Sequence, residues 1–322
     1  MRGVWFALLA VVGGAAIPVV AGSSLALAQP TCVAQTLAIR ALPNPIDVAT
    51  DGLGNIYVVA ADAKSVLRFN ASGVQTLAIP ATSATPNFSD SIFGVAADSS
   101  GNIYVLDEGT TTLYRFNASG VQTLAIPATS ATPHFIFLQH IAVDTAGNIY
   151  ASDQETRTLY RFNPSGVQTL AIPATSATPN LENPYGIAAD SAGNIYTSDA
   201  GTKTLLRFSA SGVQTLAIPA SSAFPNLDLP AGIAVDGAGN IYAADAGVFN
   251  RNLYRFNSSG VQTLYVSPDA ANPRLFGPTA VAADDAGNIY AADNNTATVY
   301  RFATFACAPA PAAVVTTPSF TG

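Results

Sequence analysis

Charge is scarce in this chain. Of its 322 residues only 10% are Asp, Glu, Lys or Arg, against 49% hydrophobic, and Lys occurs just twice, at Lys64 and Lys203. So few cations make no basic stripe to follow phosphates. A formal charge of −7 also argues against nucleic acid and anionic membrane surfaces as partners. Disorder driven by charge is excluded on the same ground. Histidine and cysteine are rarer still, at two residues each, too few for the Cys- or His-rich spacing of a metal module. There is no nucleophile elbow, no phosphate-binding loop and no heptad. Beyond the first 28 residues no apolar run is long enough to cross a bilayer, and no stretch sustains a helical period.

Residues 1–28 read as an export signal. Arg2 supplies the positive start, "VWFALLAVVGGAAIPVVAG" the apolar stretch, and Ala26-Leu27-Ala28 a small-residue cleavage site before Gln29. A membrane anchor is the alternative, but the Gly-Gly pair and Pro18 interrupt the run. The "QPT" ahead of Cys32 lacks the small residue of a lipoprotein signal. The mature chain is expected to be secreted or periplasmic, in an oxidising compartment.

What is abundant is repetition. "GNIY" begins at Gly54, Gly101, Gly147, Gly193, Gly239 and Gly287, at spacings of 47, 46, 46, 46 and 48. Six copies fill the chain from Pro45 to Phe302 and predict one domain over 29–307, followed by a low-complexity tail at 308–322 that is expected to be disordered. Each copy reads as four strands. In the fifth these are "GIAVD", "NIYAAD", "LYRF" and "VQTLYV", with "DxxGN" and "NSSG" supplying tight turns. Six copies of four antiparallel strands predict an all-β, six-bladed β-propeller.

"PYGIAADSAGNIYTSD" (184–199) and "PAGIAVDGAGNIYAAD" (230–245) resemble the blades of NHL-repeat propellers, and the likeness covers nearly the whole mature chain. It implies the fold without a function, because that family includes sensors, interaction scaffolds and a few lyases and hydrolases.

The chain begins with half a repeat. "VAQTLAI" precedes any "GNIY" segment, and the last "YRF", ending at Phe302, has no such segment after it. An open ring leaves strand edges exposed, so residues 34–39 are expected to pair with 298–302 and close the sixth blade. Cys32 and Cys307 then fall near the turn the sixth copy lacks. In an exported chain they read as a disulfide, worth up to roughly 5 kcal/mol in the chain-entropy model; a free or redox-active pair is the alternative.

Residues present in every copy serve the fold. The Asp of "DxxGN", the Asp ending most second strands and the Arg of each third strand are expected to cap turns, bridge blades and form ion pairs. Function should lie where copies differ. At the start of the first strand the copies carry Asp47, Gly94, His140, Gly186, Gly232 and Ala280, so the small residues are expected to leave the channel open and only Asp47 and His140 to bring ionisable groups to its mouth. Metal-dependent lyases among similar propellers gather several histidines there. This chain offers only His134, His140 and Asp47, and only if the His134 loop folds inward, so no metal or other cofactor is expected. The loops between copies add Phe88, Asp90, Phe135, Phe137, Glu182, Asp228, Arg274 and Phe276. Each Phe either plugs a wedge between blades or belongs to an exposed apolar binding patch. Sequons such as "NAS" at 70–72 arise from the turn chemistry and matter only in a glycosylating host. "VQTLAIPATSATP" survives verbatim in three copies, which favours a scaffold over an asymmetric active site. The expected function is a monomeric, non-catalytic binding module for a protein, peptide or glycan. A lyase or lactone hydrolase acting through His140 and Asp47 is the alternative.

Overall fold

The structure is a computed structural model. It describes residues 31–306 apart from 86, 90, 133, 249, 272 and 273, with only the backbone at 31, 32, 305 and 306. Six four-stranded antiparallel sheets form a ring. Their innermost strands, in order from blade 1 to blade 6, are Pro45–Thr50, Ile92–Ala97, Leu138–Val143, Pro184–Ala189, Pro230–Val235 and Pro278–Ala283. The outermost strand of blade 6 is Thr31–Ile39, paired with Thr298–Ala306. The closing ladder is longer than 34–39 against 298–302, because both strands run on past the point where the other blades turn. Cys32 therefore sits opposite Phe305 in a continuous ladder and not in a turn. Cys307, and with it the expected disulfide, lies outside the described residues, as do 1–28 and 308–322.

Each "DxxGN" turn is built by its own aspartate. Asp51 Oδ1 accepts from the amides of Leu53 and Asn55, each at 2.9 Å, while Oδ2 accepts from Asn55 Nδ2 and the Tyr57 hydroxyl, each at 2.8 Å. Gly54 supplies the positive φ the turn needs, +80°. One carboxylate thus fixes the turn and anchors the buried tyrosine of the second strand. That tyrosine's phenol is held above its ordinary pKa by burial and by the adjacent carboxylate.

The third-strand arginines join neighbouring blades. Arg115 Nε donates to Thr123 of its own outer strand at 2.9 Å, and Nη1 to the Pro164 carbonyl of the next blade, also at 2.9 Å. Arg301 does the same across the closure, reaching the Ala71 carbonyl. Outer-strand glutamines reach back the other way: Gln168 accepts from Thr132 N and donates to Thr132 O in the preceding loop. The verbatim "VQTLAIPATSATP" thus holds both ends of a bridge made at successive junctions, a structural reason for its identity between copies. The apolar core follows the same plan. It is divided into wedges, each drawing side chains from two adjacent blades, including the wedge between blades 6 and 1.

Alternating strand direction sorts the connections onto two faces. "DxxGN" and "NASG" turns share one. The turns between second and third strands and the loops between blades share the other, the loop face, where every innermost strand begins. The aspartates that end the second strands hold this face together. Asp153, fully buried, accepts from Ile136 N in the inter-blade loop and from Thr156 N in its own turn. Asp107, Asp199, Asp245 and Asp293 play the same part. These carboxylates are satisfied by backbone amides, and the third-strand guanidiniums by carbonyls and hydroxyls, so the expected aspartate–arginine pairing is not how either group is used. No helix among the described residues is long and apolar enough to cross a membrane.

Candidate functional site

The innermost strands enclose a central cavity of about 140 Å³, room for a few waters or a very small molecule. Its walls are Val, Ile and Ala with backbone and Thr50; Asp47, His140 and Gly232 line its loop-face end. Each innermost strand carries a register shift near this end, as between Pro45 and Asp47. There the strands crowd together. A Cβ on Gly232 would lie 2.6 Å from Ala280 Cα, and one on Gly186 2.6 Å from the Ala231 carbonyl oxygen. Small residues at this position thus serve close approach between neighbouring strands, not an open channel.

Asp47 and His140 are buried where the other copies carry Gly or Ala. Asp47 reaches the next blade: Oδ2 accepts from Val95 N at 2.8 Å, and Oδ1 from its neighbour Val48 N at 2.9 Å. Oδ1 also lies 3.7 Å from His140 Nδ1, with only Gly94 at the corresponding position of the blade between them. That is too long for a direct hydrogen bond but within one small adjustment of it. Burial pushes the Asp47 carboxyl up to about 8, although its two amide donors pull the other way. Burial lowers His140 to about 4. Between those values the two groups together hold one proton and no net charge.

A third member went unremarked in the sequence. The Tyr185 ring lies 5.1 Å from the His140 ring, and burial together with the nearby Asp47 raises its phenol. The contact is fixed through Ser152, which donates to the Tyr185 carbonyl at 2.6 Å and accepts from His140 N at 3.3 Å. The available signal was positional. One residue before the small position the copies read Ile46, Phe93, Gln139, Tyr185, Ala231 and Thr279, and only one of these is ionisable.

The remaining candidates divide by exposure. Phe88 and Phe135 are buried, packed edge-on against Tyr114 and Phe116 and against Tyr160 and Phe162. They plug wedges, so neither is available to a surface ligand. Phe137 and Phe276 are exposed on the loop face, together with Ile136 and Leu229. His134 is exposed in its loop and is not among the residues lining the cavity, so it does not join His140 and Asp47. Asp228 is paired with Lys203 at 3.0 Å and Arg274 with Asp269 at 2.9 Å, while the Glu182 side chain is exposed. Asp90 lies outside the described residues. Among the described residues no three His, Cys, Asp or Glu side chains gather closely enough to hold a metal ion. One imidazole and one carboxyl fall short of the donor set a catalytic metal takes.

Ring, closure and channel define a six-bladed propeller with a buried acid–imidazole pair at one mouth and a half-buried phenol against the imidazole. The chain belongs to the DUF6923 family, described as a repeat of unknown function, whose model matches residues 53–242. No curated protein matches it. Among solved structures it is similar in fold to a gluconolactonase from Xanthomonas campestris (15% identity, TM-score 0.60, covering 83% of this chain and 89% of that one). It is also similar to a streptogramin B lyase (12%, 0.59, 85% and 98%) and to virginiamycin B lyase from Staphylococcus aureus (11%, 0.58, 85% and 99%). At these identities the likeness concerns the fold.

Proposed function

We propose that this chain is an exported, NHL-like propeller acting as a monomeric, non-catalytic binding module for a protein, peptide or glycan, received on the loop face around the mouth formed by Asp47, His140 and Tyr185. One observation carries the reading. Outside the loop face the copies are close to interchangeable, whereas on it they differ in ionisable and exposed apolar residues, Asp47, His140, Tyr185, Ile136, Phe137 and Leu229 among them. An apolar collar around a few polar groups is the anatomy of a recognition surface. In this reading residues 1–28 are removed on export and Cys32 is joined to Cys307, and non-reducing peptide mass spectrometry is expected to find that link in secreted protein. No cofactor is invoked.

The test is a peptide and glycan display screen with purified mature chain, repeated with His140→Ala and Phe137→Ser. A ligand held at this face loses at least tenfold in affinity in one variant or both, with both variants still folded at the assay temperature. Ligands indifferent to both substitutions count against the site.

A second reading is favoured by the opposed displacement of Asp47 and His140. A neutral carboxylic acid beside a neutral imidazole in a cavity is a general acid–base arrangement, and the similar folds include proteins named as a gluconolactonase and lyases. Turnover of a lactone, or lyase activity on a streptogramin, that is abolished in Asp47→Asn would establish it over the binding module.

A further inference from the structure

One interruption of the repeat is used by neither reading. The last spacing is 48, because the turn between the second and third strands of blade 5 is two residues longer than in blade 4. Arg251 stands in that turn with φ +46° and lies over the Phe276 ring, 5.1 Å from its centre. Arg251, Phe276, Asn295 and Thr296 line an open groove of about 560 Å³ between blades 5 and 6, on the loop face.

The neighbouring junction shows what is missing. Between blades 4 and 5 the corresponding turn carries Lys203, paired with Asp228 two residues before Pro230. Two residues before Pro278 the chain has Phe276 in place of an acid. Among the described residues Arg251 consequently has no carboxylate partner. Stacking on Phe276 occupies the face of the guanidinium and leaves its N–H edges free for a planar, bidentate acceptor.

We propose that this groove binds the carboxylate of an acidic sugar, a uronic acid unit within a glycan, supplying to Arg251 the acid that the repeat omits. This rests on the loop face being a binding surface. Phe276, 51% exposed, offers a flat apolar ring for the C–H face of a pyranose. Asn295 Nδ2 donates to the Phe276 carbonyl at 3.3 Å, which orients the amide and leaves its Oδ1 and second N–H for sugar hydroxyls. Gly277 makes room for that amide, since a Cβ there would lie 2.5 Å from Asn295 Nδ2. A peptide strand fits less well. Phe276 N and Gly277 N are already given to Asp293 and the Phe276 carbonyl to Asn295, so little main chain is left to pair with a peptide backbone.

The test is calorimetric titration of the mature chain with an oligogalacturonate, its methyl ester, and an acidic peptide of similar charge. The free acid is expected to bind at least tenfold tighter than the ester, and Arg251→Gln to remove that preference at unchanged melting temperature. Arg251→Lys should retain part of it, and Phe276→Ser should weaken both sugars. Equal binding of acid and ester, indifference to Arg251→Gln, no binding at all, or a peptide as tight as the sugar overturns the proposal. If uronate fails while another ligand depends on His140, the groove proposal falls and the channel-mouth reading stands.

Discussion

At the scale of single residues, the copies act as controls for one another. Thr110, Thr156 and Thr296 each have their hydroxyl within hydrogen-bond distance of a third-strand tyrosine, Tyr114, Tyr160 and Tyr300. Blade 4 carries Leu206 in that place, and among the described residues the buried Thr202 hydroxyl has no partner. Blades 5 and 6 fit a tyrosine beside Leu227 and Leu275, and Leu181 leaves similar room in blade 4. Leu206→Tyr is therefore expected to stabilise by about 1 kcal/mol, read as a higher midpoint in urea. Asp47 and His140 give a pH signature. Asp47, raised to about 8, contributes stability that is complete below its unfolded value near 4 and is lost as pH rises through 8. His140, lowered to about 4, contributes stability present above 6.5 and lost as pH falls through 4. Between 4 and 6.5 the two dependences oppose each other. From 6.5 to 8 only the Asp47 loss remains, worth about 2 kcal/mol for one proton over that interval. Melting curves of wild type and Asp47→Asn across pH 4–9 should diverge in this sense, wild type alone losing stability above 6.5. A flat difference curve would mean that the carboxyl is already ionised at neutral pH.

At the scale of strands and turns, the period of 46 residues made the blades, the aspartate turns and the closing strand legible, since each is a local pattern repeated or conspicuously absent. The site was legible only as a list of departures. That Asp47 and His140 would meet depended on Gly94 between them and on register shifts that no periodicity reveals. Within one loop Phe135 enters the wedge and Phe137 faces solvent, a choice set by the backbone bonds to Asp153 and not by residue type. The glycines at the mouth were misjudged for a related reason: alternation tells which face of a strand a side chain takes, but not how near the next sheet stands. Gly232→Ala tests the corrected view. Its Cβ would meet the Ala280 backbone, which cannot rotate away, so a loss of roughly 1–3 kcal/mol is expected on thermal melting. An unchanged melting point would show that the strands can part.

For the molecule as a whole, the formal charge of −7 is a poor guide to the surface. Much of the excess acid is in Asp107, Asp153, Asp199, Asp245 and Asp293, buried and bonded to backbone amides, and in Asp47. Removing residues 29–39 should leave Thr298–Ala306 as a bare edge and produce concentration-dependent association by light scattering; a monomer melting like the full chain would show that closure is dispensable. The closing ladder also orders events in time. Thr36 and Arg301, which meet in it, stand 265 positions apart, whereas the strands of the other blades pair with their immediate successors in the chain. The strand that precedes the six copies must thus wait for the last of them, and until then the molecule carries a loose strand and a vacant edge that fit each other. A second copy in the same condition offers the same strand to the same edge. Whether the product is a closed ring or a pair of chains that have exchanged their first strands then depends on how crowded the chains are while they fold.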